Sequence, residues 1–299
     1  MATGLPERTA EWLRSVLGST ARVHQVAVLP DTSHTNHRLR IQMPEGAELE
    51  LLLRRYTDAE LLASDPWHSP TDEVAALRAL EHADLPVPTL IAEDASGEVC
   101  EEPTLLLTWV PGHPPGTPDD LDAFARRLAG PLPAIHAVEV PSSMHAYEPY
   151  FVSDGIAVAD LRPPAWASDV RTWERAFEVA ASDPPETPAR FIHRDYHHGN
   201  TVWERGRLTG VVDWTTGCVG PPAIDLAQAR VNLAWDFDQG TADAFLAAWR
   251  ALEPGLEHHP YWDVLDAVDW LGDGTAPGVT PEKLRRYEAF VARALADLG

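Results

Sequence analysis

The 299-residue sequence predicts an α+β fold of two lobes: a small N-terminal lobe of antiparallel sheet with one helix (1–110), and a larger, mainly helical C-terminal lobe (111–299). Three observations carry this. Strand-like segments concentrate before residue 111. The stretch "PGHPPGTP" (111–118) is dense in proline and glycine, the residues that break regular structure and mark a hinge or boundary. Beyond it helical periodicity dominates, interrupted once by a polar hairpin pattern, "FIHRDYHHGNTVWERGRLTGVVDW" (191–214).

Taken in order, residues 6–17 place Trp12, Leu13, Val16 and Leu17 on one helical stripe. Residues 21–30 and 37–42 alternate like strands, joined by the polar turn "DTSHTN". "LELLLRRY" (49–56) is an apolar strand suited to a central position. A helix is expected over 69–83, with Ser69 or Thr71 able to cap it, Pro70 in its first turn, and Val74, Leu77 and Leu80 at helical spacing; "LPVP" ends it. "PTLLLTWV" (103–110) is another strand.

After the hinge a long helix is expected over 119–138, carrying Leu121, Phe124, Leu128 and Ile135. Residues 141–190 are weakly patterned, with one helix near 168–181. The 191–214 stretch reads as strand, loop, strand, turn, strand. Helices follow near 222–235, 240–252, 261–271 and 281–297, and no internal repeat is present. Two lobes joined by a hinge leave a cleft, a common place for a ligand.

Composition narrows the function. Hydrophobic residues make up 44% and charged residues 23%, as in soluble globular proteins. The net charge is −23, from 23 Lys and Arg against 46 Asp and Glu. Such a surface disfavours nucleic acid and anionic lipid and attracts a cationic small molecule. Lys283 is the only lysine, so any chemistry needing a cation elsewhere falls to arginine. Cys100 and Cys218 form no C-x-x-C pair and indicate neither a disulfide framework nor a zinc site. No apolar run approaches the roughly 20 residues of a membrane span, and "MATGLPERTAEWL" lacks a basic-then-apolar signal. A cytoplasmic protein is expected.

The segment "FIHRDYHHGN" (191–200) admits two readings. His193 and His197 have H-x-x-x-H spacing, which binds zinc when it lies on a helix; with His198 they would make a metal hydrolase. Alternatively, Asp195 and Asn200 belong to one loop, and Asp213 lies 13 residues beyond Asn200, within reach if a hairpin joins them. An amide oxygen and a carboxylate are both hard ligands for Mg²⁺. Asp195 is then free to orient and deprotonate a hydroxyl, the division of labour of kinase-type phosphoryl transfer.

"HRDYHHGN" satisfies H-R-D-x-x-x-x-N at each fixed position. On these residues the chain resembles the aminoglycoside phosphotransferase and choline kinase-like superfamily, which has a protein kinase-like fold, over roughly residues 20–275. "FIHRDYHHGNTVW" resembles its catalytic loop and "GVVDWTTGCVGPPAIDLA" its metal loop with the following helix. The resemblance implies ATP and Mg²⁺ as cofactors, Asp195 as the catalytic base, Asn200 and Asp213 on the metal, and His193 and Asp225 as structural supports of the loop. Arg54 stands where the phosphate-gripping lysine is usual, with Glu73 as its partner. Arginine keeps the charge and can pair bidentately. The phosphate loop lacks glycine; Ser33, His34 and Thr35 are its candidates. "LTWVPG" resembles the hinge that reads adenine through its backbone, at Leu107, Thr108, Trp109 and Val110.

For the acceptor, Trp235, Trp249, Trp262 and Trp270 lie where the superfamily binds it, and His198 is a further candidate. Asp263, Asp266 and Asp269 recur at steps of three on one predicted helix, a carboxylate face that could hold an amine. The sequence therefore points to an ATP-dependent O-phosphotransferase for a small-molecule hydroxyl, with an aminoglycoside-like or other cationic antibiotic as leading acceptor. Amino alcohols, sugars and macrolides are the other acceptor classes. A catalytically silent nucleotide-binding protein is the alternative that the missing lysine and glycines motivate. The oligomeric state is not encoded in any motif.

Overall fold

The computed structural model of the chain describes residues 4–29, 34–44, 46–142, 144–272, 274–276 and 278–299. Ser33 lies outside them. The chain forms two compact units, residues 1–111 with 210–216, and residues 112–209 with 217–299.

In the first unit, α1 (Glu7–Leu17) precedes β1 (Arg22–Leu29), β2 (Thr35–Gln42) and β3 (Glu48–Arg55). α2 (Ala59–Ser64) and α3 (Pro70–Leu80) follow, then β4 (Leu90–Asp94) and β5 (Thr104–Thr108). The five strands form one antiparallel sheet in the order β1-β2-β3-β5-β4. Because side chains alternate across a strand, the sheet sorts two sets. Leu39, Ile41, Leu51, Leu53 and Leu106 pack with Trp12 and Leu13 of α1 and with Cys100. The opposite set includes Arg54, whose register partners are Asn36 on β2 and Leu105 on β5.

α3 is capped by Ser69, whose Oγ accepts from Asp72 N at 3.3 Å, with Pro70 in the first turn. It buries Glu73, Val74, Leu77 and Leu80. The segment 210–216 joins this unit through Val211 N, which donates to Pro86 O at 2.8 Å, and through the 3₁₀ turn Trp214–Thr216, which packs on α3. Trp214 is fully buried and donates to Val211 O at 3.1 Å.

Three details depart from the sequence expectation. β4 has no counterpart in it, because a five-residue edge strand ending in Glu93 and Asp94 carries almost no periodic signal. α2 is a single capped turn-and-a-half, held by the Asp58 carboxylate on the amides of Glu60 and Leu61. The long helix expected over 119–138 is two, α4 (Leu121–Ala129) and α5 (Leu132–His136). Gly130 and Pro131 separate them, since proline offers no amide to continue the ladder.

The second unit continues with the single-turn α6 (Tyr150–Ser153), α7 (Val170–Ala180), β6 (Arg190–Ile192), β7 (Thr201–Glu204), β8 (Arg207–Val211) and β9 (Cys218–Gly220). β8 carries the chain from this unit into residues 210–216. α8 (Pro222–Asp236), α9 (Gln239–Leu252), α10 (Pro260–Asp269) and α11 (Pro281–Asp297) complete the unit. β7 and β8 pair across the turn Arg205-Gly206, both residues at positive φ as a type I′ hairpin requires. β6 pairs with β9.

Gly112 starts the unit at φ 127°, where a Cβ would stand 2.6 Å from Val202 Cγ1 and 2.7 Å from Trp203 O. Only glycine permits that approach, and it lets His113 exchange two backbone hydrogen bonds with Trp203. α8 is the axis: it packs against α9, α10, α11 and β6 and is buried on nearly every face. A helix apolar all round belongs in a core, so its polar residues Asp225, Gln228, Arg230 and Asn232 must each find partners there.

Candidate active site

The site residues fall into one cluster in each unit. In the first unit the centre is Arg54, only 5% exposed. Its Nη1 donates to Glu73 Oε1 at 2.7 Å and to Asp213 Oδ1 at 2.9 Å, and its Nε to Asn36 Oδ1 at 3.2 Å. Tyr56 Oη donates to the other Glu73 oxygen at 2.6 Å. Burial alone would lower the guanidinium's proton affinity. The Glu73 and Asp213 carboxylates outweigh it and hold the cation firmly charged. Asp213 sits at φ 67°, an uncommon backbone for a non-glycine residue and one that marks functional turns.

His34 stacks on His68, with ring centroids 4.7 Å apart, and meets Tyr56 edge-on at 4.5 Å. Thr35 Oγ1 lies 2.9 Å from Thr57 Oγ1 at the sheet end. In the hinge stretch, Thr108 N donates to Thr89 O and Trp109 N to Glu50 O. Thr108 Oγ1 accepts from Thr89 N at 2.8 Å, and the Arg38 guanidinium lies 4.4 Å over the Trp109 ring.

In the second unit the centre is Asp195. Asn200 Nδ2 donates to Asp195 Oδ2 at 2.8 Å and to its backbone oxygen at 2.9 Å. Gln228 Nε2 donates to Oδ1 at 2.6 Å, and His197 Nε2 stands 3.6 Å from the same oxygen. His197 Nδ1 accepts from Gly199 N at 3.1 Å, so in the neutral ring the proton is on Nε2 and faces Asp195. A Cβ on Gly199 would stand 2.5 Å from His197 Cε1, so glycine is needed for the ring to lie there. Burial pushes the Asp195 carboxyl up, but His197, His193 and Gln228 together hold it well below the usual carboxylate range. Its side chain keeps 32% exposure.

Beneath this loop, Asp225 is fully buried. It accepts from His193 N at 3.1 Å, Arg194 N at 2.8 Å and His136 Nε2 at 2.9 Å. Arg194 takes φ 70°. Its guanidinium lies 3.8 Å over the Tyr150 ring and donates to Glu148 O at 2.9 Å. The three histidines of the motif diverge. The His193 ring is buried 6.0 Å from Tyr196, His197 turns to Asp195, and His198 Nε2 lies 3.0 Å from Asp236 Oδ2. Residues 193–197 are a loop, not the helix that zinc-binding H-x-x-x-H spacing needs.

The acceptor candidates separate. Trp235 is half-buried, edge-on to Trp270 at 5.0 Å and to Tyr287 at 5.9 Å, with Lys283 Nζ 5.4 Å above its ring. Asp236 bridges that lysine, at 2.7 Å, to His198; burial raises its pKa, but His198 and Lys283 bring it down to about 2. Asp263 departs from the expected carboxylate face. It is 2% exposed and held by Arg230 Nε at 3.1 Å and His258 Nε2 at 3.0 Å, a core ion pair that cannot reach a substrate amine. Asp266 is 5% exposed, and burial together with Asp269 and Asp263 pushes its carboxyl well above the ordinary range, so it is not a fixed anionic anchor. Trp249 and Trp262 are core residues.

Asp269 accepts from the amides of Tyr150 and Phe151, each at 2.9 Å; burial nonetheless raises its pKa to about 6. The folded state therefore binds this proton more tightly than the unfolded chain, whose aspartates titrate near ~3.9. Relative to Asp269→Asn, the wild type should lose stability as pH rises from about 4 through 6. Urea melts of both proteins across that range check it, and parallel pH profiles would contradict the assignment.

Gln228, Asn36, Tyr56 and Asp236 were not among the residues singled out from the sequence, and His197 entered there as a metal-ligand candidate rather than as a partner of Asp195. Gln228 left one signal, its position one helical turn after Asp225.

A buried carboxylate under a loop, a partly open aspartate held by an asparagine five residues on, and an arginine–glutamate pair beside a second aspartate define a kinase-like phosphotransferase. The chain belongs to the phosphotransferase enzyme family, whose model matches residues 45–268. It is a small-molecule kinase, a phosphotransferase with an alcohol group as acceptor. It is 28% identical over 234 residues to a homoserine kinase of Methylorubrum populi, covering 69% of this chain and 71% of that protein. It is 30% identical over 177 residues to the viomycin phosphotransferase of Streptomyces vinaceus, covering 50% and 58%. Among solved structures, a complex of aminoglycoside phosphotransferase APH(4)-Ia with ADP and hygromycin B superposes with a TM-score of 0.64 at 14% identity, over 96% of this chain and 97% of that one. That likeness establishes the fold. Among the described residues, no helix is long and apolar enough to cross a membrane.

Proposed function

We propose that the protein transfers the γ-phosphoryl group of MgATP to a hydroxyl of a cationic small molecule, with an aminoglycoside-like or other cationic antibiotic as the leading acceptor and antibiotic resistance as the consequence. The observation that carries the reading is the state of Asp195: ionised, held on both oxygens, and still partly open to a substrate. Asp195 orients the acceptor hydroxyl and takes its proton as the oxygen attacks.

The chain's donors suit the nucleotide. Asn200 commits its Nδ2 to Asp195, which leaves its Oδ1, a neutral hard oxygen, for Mg²⁺. Asp213 supplies a carboxylate for the same ion, a pairing that rests on the order of the two motifs. When bound, MgATP supplies the transferable phosphoryl group and neutralises charge that develops on it. Arg54 is a permanently charged partner for phosphate, held in place by Glu73 and Asn36. His34 and Thr35, with Ser33, are proposed to border the phosphates. The hinge Thr108, Trp109 and Val110 is proposed to meet adenine. The amides of Thr108 and Trp109 are already engaged in the sheet, so carbonyls and the Val110 end carry that contact. His193 and Asp225 hold the catalytic loop. His198 and Trp235, joined through Asp236, are proposed to face the acceptor.

The net charge of −23 favours a cationic acceptor. The relatives' names, homoserine kinase and viomycin phosphotransferase, support a small-molecule hydroxyl and divide over its class. The deciding experiment measures ADP release from MgATP across aminoglycosides, peptide antibiotics, macrolides, amino alcohols and sugars. Release with a cationic antibiotic alone is expected; release with neutral sugars alone would reassign the acceptor. Arg54→Lys should shrink the rise in Tm caused by MgATP and cost the free protein about 1–3 kcal/mol, because an ammonium cannot serve Asn36, Glu73 and Asp213 together. Unchanged thermal shifts would remove Arg54 from the nucleotide site.

A further inference from the structure

We propose that Gln228 is a positioning residue for the phosphoryl transfer, setting the rotation of the Asp195 carboxylate toward the acceptor hydroxyl. The proposal rests on the reading of Asp195 as the base. Asp225 and Gln228 are three residues apart on α8 and so share a face. Asp225 clamps the backbone of residues 193 and 194; one turn later Gln228 holds the side chain of residue 195. One buried helix face thus sets both where the loop runs and how its carboxylate is turned.

The details favour a directed role over filler. Gln228 is 7% exposed between Ala227 and Ala229 on a buried helix, where an apolar side chain would avoid the cost of burying an amide. Its Nε2 lies 2.6 Å from Oδ1, a short charge-assisted hydrogen bond. The amide can face the carboxylate only through nitrogen, since an oxygen there would meet a like partial charge. Asn232 Nδ2 donates to Gln228 O at 2.9 Å, adding a bond to the turn of α8 that carries it.

Asp195 thereby receives one donor on each oxygen, Asn200 on Oδ2 and Gln228 on Oδ1, and the carboxylate plane is fixed. Without Gln228 the next donor to Oδ1 is His197 Nε2, at 3.6 Å, and the carboxylate turns toward it. A small turn of the base matters, because transfer demands near-attack geometry with the hydroxyl.

The test is Gln228→Met, close in volume and lacking the donor, with Gln228→Glu as a second variant that opposes two carboxylates. In Gln228→Met, kcat should fall about 10- to 100-fold with KM for MgATP and Tm unchanged, and Gln228→Glu should fall further. A kcat equal to wild type in Gln228→Met, or a loss that tracks Tm in both variants, would overturn the proposal. An arm independent of turnover follows the Gln228 side-chain amide by ¹H–¹⁵N NMR, assigned by its disappearance in Gln228→Met. Its proton shift should move upfield in Asp195→Ala; a shift indifferent to that change overturns the contact itself. If Asp195→Ala turns over like wild type, the assignment of the base fails instead, and the NMR arm still decides whether Gln228 holds Asp195.

Discussion

Asp195→Ala should lower acceptor-dependent ADP release by about 10²–10⁴-fold, the range for removal of a positioned general base, with KM for MgATP and Tm close to those of the wild type. The loss falls on kcat because, in the role proposed for it, the carboxylate meets the acceptor's proton only as the hydroxyl attacks. Nucleotide binding is proposed to lie with Arg54, Asn200 and Asp213, which the substitution leaves in place. Stability should hold because the site is partly open: water can reach the amides of Asn200 and Gln228 once the carboxylate is gone, so neither is stranded. Alanine is the sharper choice than asparagine, which would turn an NH₂ group toward one of those donors and add strain of its own. Steady-state kinetics beside a thermal melt make the measurement. Turnover within threefold of wild type would remove Asp195 from the chemistry and reopen the site.

The parts of the site legible in the sequence are those whose chemistry restricts residue type. An aspartate five residues before an asparagine, inside H-R-D-x-x-x-x-N and followed by a later aspartate, can be written in few ways, so "HRDYHHGN" and "VVDW" stand out of a single sequence. Arg54 and Glu73 were paired through the family resemblance, and the structure brings them to 2.7 Å. What stayed hidden depends on long-range packing. Asp263 looks on a helix like its neighbours Asp266 and Asp269; its cationic partner Arg230 comes from α8, 33 residues earlier, and nothing in the local pattern reveals that pairing. Gln228 meets an atom 33 residues earlier in the chain. The break at Gly130 and Pro131 was visible in residue type, but the apolar spacing of Leu121, Phe124, Leu128 and Ile135 bridges it, so periodicity masked the stop.

The largest expected loss of stability belongs to Asp225→Ala. Asp225 has no exposure and accepts three hydrogen bonds, two from backbone amides at the turn into the catalytic loop and one from His136. Alanine removes the carboxylate that all three donors reach, at a position with no solvent exposure. The cost should be about 3–5 kcal/mol, as for other buried charged networks broken on one side, a shift in Tm on the order of ten degrees for a chain of this size. The Arg194 backbone adds to the argument. Its φ of 70° is unfavourable for a residue with a Cβ and persists because Asp225 grips its amide. Released, the turn relaxes and carries Asp195 with it, so turnover should fall as well. That pairing of losses separates Asp225 from Asp195: one substitution lowers kcat and the melting midpoint together, the other lowers kcat alone. Denaturant melts of the two variants at one pH provide the comparison. Equal midpoints for Asp225→Ala and wild type would mean that the loop is held by something other than this carboxylate.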